Sequence, residues 1–242
     1  MRTLVTADPH GSYKAFKQCL ERSNFNKEED KLIVLGDIVD GWPESMEVIK
    51  ELQTIKNLVY IIGNHDYWFR EFLLYGQTPS AWVNQGGDST IKSYVKHAGE
   101  ESDRQAFHDG LLEFFEKGVF YHEENNKLFV HGGFNWHEDV KVQLPHDLMW
   151  DRHLWQTAIM WENSGEEFKV GSYDEVFIGH TTTTFFNAKN DKGCIDPQKA
   201  ANIWNLDQGS GYEGVLTIMD AYTHEYWQSD YSKDLYPNEK GR

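Results

Sequence analysis

Five short polar motifs stand in fixed order along the chain, each directly behind an apolar run. They are Asp8-Pro9-His10-Gly11 after residues 3–6, Gly36-Asp37-Ile38-Val39-Asp40 after 32–35, Gly63-Asn64-His65-Asp66 after 58–62, His131-Gly132-Gly133 after 128–130, and Gly179-His180-Thr181 after 176–178. A short apolar run closed by such residues reads as a buried strand ending in a turn. The pattern therefore sets Asp, His and Asn side chains at one rim of a sheet, where an open α/β sheet carries its chemistry. Gly, Asp and Asn also mark ordinary turns for backbone reasons. Ordinary turns do not require metal-ligand residue types to return at five successive strand ends.

The first third alternates strand and helix, which implies parallel pairing with right-handed crossovers. Ser12 is placed to cap a helix running to Arg22, with Phe16, Cys19 and Leu20 on one face. Pro43 suits the first turn of a second helix that turns Met46, Ile49 and Leu52 inward. Further helices are predicted over 67–75 and 103–117, and an aromatic-rich helical stretch over 145–163. Residues 76–99, around Gly86-Gly87, read as an irregular insertion of the size of a lid or substrate loop. Strands predicted at 119–121, 128–130, 176–178, 201–206, 215–220 and 225–228 lack regular intervening helices, so a second, more antiparallel sheet is expected. The expected fold is α/β: one domain over 1–242, a two-sheet β-sandwich core flanked by helices, with a loosely held polar tail over 232–242.

Composition narrows the function classes. The formal net charge of −16 disfavours nucleic-acid partners. Cys19 and Cys194 are far apart and form no CxxC pair, which fits a reducing, cytoplasmic setting. The first strand begins at once, leaving no room for a signal peptide, and no apolar run has the length of a membrane span. No obligate protein partner is implied. Most of the nine tryptophans are expected in the core, with Trp42, Trp68 and Trp82 as candidates for stacking on a base.

Two divalent ions held about 3.5–4 Å apart clamp a phosphoryl group and generate hydroxide at neutral pH. Such a pair needs a shared ligand, and Asp37 at the central strand end is the candidate. Asp8 and His10, two residues apart, would point to one side of an extended strand and complete the first metal. Asn64, His131 and His180 would complete the second. A mixed nitrogen and oxygen set suits Mn²⁺, with Fe or Zn²⁺ as alternatives, and does not suit Ca²⁺.

In this order the motifs resemble the calcineurin-like metallophosphoesterases, and among them the phosphoprotein phosphatase branch with its small bacterial and phage members. The resemblance runs over residues 3–220. Met149-Trp150-Asp151-Arg152 and Asn205-Leu206-Asp207-Gln208-Gly209 add to it, as does Thr182 where other branches carry a second histidine after Gly179-His180. It assigns the six metal ligands above. It further implies that His65 protonates the leaving-group oxygen while Asp40 orients it, a carboxylate raising the imidazole pKa. Arg152 is the implied holder of phosphate oxygens, its guanidinium fork matching them bidentately, with Asn64 also facing substrate. One departure stands out: Asp40-Gly41-Trp42 replaces the usual Asp-Arg-Gly, so a phosphate-binding arginine is missing, and Arg70, just after Gly63-Asn64-His65-Asp66, is a candidate substitute. His137 is placed to line the cleft. The implied function is a two-metal, Mn²⁺-type phosphomonoesterase acting on phosphorylated protein or a small phosphate ester. A symmetrical dinucleoside-polyphosphate hydrolase is the alternative, and a metal-bearing scaffold is a third reading that the retained His65 and Asp40 disfavour.

Overall fold

Alternation along short strands decides the layering. In β1 (Thr3–Thr6), Leu4 faces outward against helices and Val5 faces inward against a second sheet. The structure, a computed structural model, describes residues 1–165, 168–186 and 196–242. Beside β1 run β2 (Lys31–Val34) and β3 (Asn57–Tyr60), all three parallel, with Leu4 paired to Leu32 and Leu32 to Leu58. On the other side of β1 lie β9 (Thr217–Asp220) and then β10 (Tyr226–Gln228), both pairings antiparallel. The second sheet contains β4 (Tyr121–Glu124), β5 (Lys127–Val130), β6 (Glu175–Ile178), β7 (Gln198–Ala200) and β8 (Ile203–Asn205), in the order β4-β5-β6-β8-β7.

The sheets meet through Val5, Ile33, Phe129, Phe177 and Met219, with the Phe129 and Phe177 rings stacked 5.0 Å apart. Each such buried side chain contributes roughly 1.5–3 kcal/mol. Helices α1 (Tyr13–Arg22), α2 (Ser45–Gln53), α3 (Asn64–Tyr75) and α6 (Arg104–Glu116) cover the outside of the first sheet. Helices α7 (Pro145–Trp150) and α8 (His153–Ser164) cover the outside of the second. The chain is thus α/β, two mixed sheets between helical layers. Among the described residues, no helix is long and apolar enough to cross a membrane.

Several expectations need correction. The second sheet is no more antiparallel than the first, because β5, β6 and β8 run parallel. Val119 makes only an isolated bridge to Ile61, and β4 starts at Tyr121. Ser12 precedes α1, but its hydroxyl donates to the Pro9 carbonyl and meets Ser210 instead of capping the helix. Pro43 lies outside α2, whose N-cap is Glu44. Residues 76–99 are largely helical: α4 (Ser80–Trp82), a π-turn over Val83–Gly87 and α5 (Asp88–Glu100). Gly86 takes φ +102° in that turn and interrupts the helical periodicity, which is why the segment reads as irregular. The 232–242 tail is also held. It carries α9 (Ser232–Leu235), and Tyr236 is buried with its ring stacked 4.9 Å from Trp42. Cys194 lies outside the described residues; Cys19 is buried as a free thiol.

Candidate metal centre

Asp8, Asp37 and Asn64 follow β1, β2 and β3, while His131 and His180 follow β5 and β6. All are ends of parallel strands, so two sheets present their carboxyl edges to one another. The nitrogen and oxygen atoms of Asp8, His10 and Asp37 lie within 4.8 Å of each other, and so do those of Asp37, His131 and His180. Asp37 is the member common to both groups. Its Oδ2 lies 3.7 Å from His10 Nε2 and 3.4 Å from His131 Nε2. Asn64 Oδ1 lies 3.2 Å from His131 Nε2. The six residues predicted as ligands therefore converge, each buried.

The backbone contorts to bring them there. Asp8, His10, Asp37, Asp40 and His180 all have φ between 46° and 70°. This left-handed region is strained for side-chain-bearing residues and is concentrated at functional sites. Preceding glycines make room: a Cβ at Gly63 would stand 2.1 Å from Asp37 Oδ1, and one at Gly179 would stand 2.0 Å from Asp8 Oδ2. Asp8 in return accepts from the His180 backbone N–H at 3.0 Å.

The donor set fits divalent ions. His10 Nδ1 donates to the Val39 carbonyl at 2.9 Å, and His131 Nδ1 to the Leu35 carbonyl at 2.6 Å. A carbonyl only accepts, so each ring nitrogen facing it carries the proton and Nε2 is left to coordinate. Asp37 Oδ2 and His180 Nε2 are buried without a hydrogen-bond partner among the described residues. Such atoms are costly unless a ligand satisfies them. Charge crowding points the same way. Burial pushes the Asp8 carboxyl well above its ordinary range, and the charges of Asp207 and Asp37 push it further. Burial works against charge on His131, but the Asp37 carboxylate outweighs it and lifts the imidazole to about 9. Loading a cation here must displace protons.

His65 Nδ1 lies 2.6 Å from Asp40 Oδ2, as expected. Its pKa runs opposite to expectation. Burial pulls His65 down to about 3 and raises Asp40 well above the carboxylate range. His65 Nε2 is buried without a partner among the described residues, while its backbone N–H donates to Asp37 Oδ1 at 2.9 Å. Arg152, exposed at the rim, donates from Nη1 to the His180 carbonyl at 2.8 Å and to Thr181 Oγ1 at 3.2 Å. Trp42 and Trp82 are fully buried and unavailable for stacking; only Trp68 is partly open, its ring edge-on to His65 at 5.1 Å. Arg70 pairs with its neighbour Glu71 at 3.5 Å.

The roles of four residues escaped the sequence reading. Asp66 accepts from the backbone N–H groups of Asp37, Ile38 and Gly63 at 2.7, 2.9 and 3.0 Å, clamping two motifs together. Its place three residues after Gly63 is the spacing of a helix-capping acid, a signal that was there to use. Trp82 donates its indole N–H to Asp40 Oδ2 at 2.6 Å, and Thr90 Oγ1 accepts from the Asp40 N–H at 2.8 Å. The supposed lid thus braces Asp40. Arg242 donates to His10 Nε2 at 2.9 Å.

Fold and site together define a class: an α/β sandwich with a buried nitrogen and oxygen donor cluster where two parallel edges meet. The calcineurin-like phosphoesterase profile matches residues 1–184, and the chain belongs to that family. It is 45% identical over 67 residues to the symmetrical bis(5'-nucleosyl)-tetraphosphatase of Buchnera aphidicola, covering 27% of this chain and 24% of that relative. It is 26% identical over 177 residues to the Aliivibrio fischeri protein of the same name, covering 70% of this chain and 61% of the relative. The chain thus spans only part of the length of the curated relatives it matches. A crystal structure of a provisionally assigned diadenosine tetraphosphatase shares the fold, with TM-score 0.62, 15% identity, and coverage of 94% of this chain and 92% of that one.

Proposed function

We propose that the chain is a metal-dependent hydrolase of phosphate esters and anhydrides whose substrate is a dinucleoside polyphosphate, cleaved symmetrically. The observation that carries the chemistry is the buried cluster around Asp37, whose partnerless donor atoms fit cations. Asp8, His10 and Asp37 would hold one ion, and Asp37, Asn64, His131 and His180 the other. When bound, two ions lower the pKa of water and neutralise phosphate charge. The chain's own residues do the rest. His65 Nε2 is placed to exchange a proton with the departing oxygen, with Nδ1 held by Asp40. Arg152 binds phosphate oxygens from the His180 side.

Two observations favour a dinucleotide over the phosphoprotein substrate expected from the motifs. Two relatives matched in sequence carry the tetraphosphatase name. In addition, a cleft of about 620 Å³ lined by Trp136, His137, His146, Trp150 and His153 opens beside the centre. The Trp150 ring lies edge-on to His180 at 6.0 Å, and aromatic faces suit a nucleobase. The test is a panel on the Mn²⁺-loaded protein: diadenosine tetraphosphate, phosphoserine and phosphotyrosine peptides, and an aryl phosphate. ADP as the main product, formed with the highest kcat/KM, is expected. Faster turnover of a phosphopeptide would return the assignment to a protein phosphatase.

A further inference from the structure

Residues 236–242 fold back over the His10 side of the centre. Tyr236 anchors the segment on Trp42, and its hydroxyl accepts from the Lys14 N–H at 3.0 Å. Gly241 packs so closely that a Cβ there would stand 3.0 Å from the Trp42 ring and 2.5 Å from the Gly211 carbonyl. The Arg242 N–H donates to that carbonyl at 2.7 Å, and its guanidinium lies 5.3 Å from the centre of the Tyr212 ring. The side chain is therefore delivered to one place by several independent contacts. That place adjoins Gly41: a Cβ on Gly41 would stand 3.2 Å from Arg242 Cγ, so the bare glycine, at φ +105°, leaves the space the arginine fills.

The donors of Arg242 are poorly matched to their surroundings. Nη1 donates to His10 Nε2 at 2.9 Å, Nη2 reaches Gln85 Oε1 only at 3.4 Å, and Nε is buried with no partner among the described residues. His10 Nε2 has a single lone pair, because its Nδ1 proton is committed to the Val39 carbonyl. A cation held by His10 claims that lone pair, and Nη1 then loses its acceptor. With Nη1 stripped of its acceptor, Nη2 held only at 3.4 Å and Nε without a partner among the described residues, the guanidinium can present its Nη1/Nη2 or its Nε/Nη2 edge to an anion with two adjacent oxygens.

We propose that Arg242 is a substrate-binding residue that holds phosphate oxygens on the His10 side of the centre, facing Arg152 on the His180 side. The proposal rests on the metal-dependent phosphoesterase reading and adds a second cation to it. It also locates a positive charge beside Gly41, where the resemblance leaves one missing.

Binding, separate from turnover, tests this. Metal-free wild type, Arg242→Ala and Arg242→Lys are titrated with Mn²⁺ by calorimetry, and the loaded proteins are then titrated with inorganic phosphate. Arg242→Ala should weaken phosphate binding by about 10- to 100-fold, the worth of a charge-assisted pair. Its Mn²⁺ affinity should be equal to or tighter than wild type, since a competitor for the His10 lone pair is gone. Arg242→Lys should recover only part of the phosphate affinity, keeping charge but losing the fork. Unchanged phosphate affinity in Arg242→Ala, or a loss of Mn²⁺ affinity, overturns the assignment. Wild type that binds neither Mn²⁺ nor phosphate would instead sink the phosphoesterase reading itself.

Discussion

Strands β1 and β2 carry a buried aspartate near each end, and the two ends treat the charge in opposite ways. At the amino edge, Asp30 receives Arg2 through Nη2 at 2.6 Å, Nε at 3.2 Å and the backbone N–H at 3.0 Å. Burial would raise its pKa, but the hydrogen bonds from Arg2 and Asn26 overcome that and hold it at about 2. At the carboxyl edge, Asp8 stands beside Asp37 and Asp207, and burial with like charge pushes it up. One edge uses an aspartate to hold the sheet together; the other spends stability to keep a cation-binding cluster assembled. The identity of the residue decides neither outcome. Its neighbours do.

Four substitutions would break or sharpen this contrast. The largest effect belongs to Asp37→Asn, because Asp37 is common to both ligand groups. It should lose more bound metal by elemental analysis than Asp8→Asn, and about 10⁴-fold or more in kcat/KM, several kcal/mol of lost charge stabilisation. Full activity in a verified metal-free wild type would refute the entire carboxyl-edge account. Next comes His65→Asn, which should retain metal while kcat falls about 10²–10⁴-fold on an alkyl phosphate. The loss should shrink on an aryl phosphate, whose leaving group needs no proton; equal losses would remove the proton-exchange role.

The two smaller effects are thermodynamic and opposite in sign. Asp8→Asn keeps an oxygen for the His180 N–H but removes a crowded buried charge. The metal-free variant should melt about 2–6 °C above metal-free wild type, and added Mn²⁺ should stabilise it less. A lower melting point would mean the cluster is not strained. Asp30→Asn should cost about 1–2 kcal/mol at pH 7, the 1.36 kcal/mol per pKa unit discounted for a partner that is 37% exposed. The sign follows from a folded pKa of about 2 against an ordinary 3.8. The stabilisation is complete above 3.8 and vanishes as pH falls through 2. Urea midpoints of variant and wild type should therefore converge at low pH; a gap that persists at pH 2 would assign the effect to packing.

The carboxyl edge was legible in the sequence because each candidate ligand is announced locally. Asp8, Asp37, Asn64, His131 and His180 follow their own strands, and the strand-end signal needs no knowledge of partners. What was hidden is nonlocal. Trp82 meets Asp40 across 42 residues and Arg242 meets His10 across 232. Nothing in the local pattern of either residue declares the contact. The same reasoning explains why residues 76–99 were misread: Gly86 breaks the periodicity, and the burial of Thr90, Ser93 and His97 only shows once α5 is docked. The pKa of His65 was misjudged for a related reason. Partner identity can be read from a motif, whereas depth of burial is a property of the whole fold.

The position of β9 bears on how the molecule is made. β1 is synthesised long before one of its two hydrogen-bonding neighbours, Thr217–Asp220. Until β9 is made, the nascent sheet therefore offers β1 as an open edge, a template for pairing with other chains. Closure arrives only with residues 217–220, and Tyr236 and Arg242 follow them. A chain halted at residue 210 should sediment as aggregate where the full chain stays monodisperse. On this view premature termination yields a sticky by-product, and quality control has reason to recognise it.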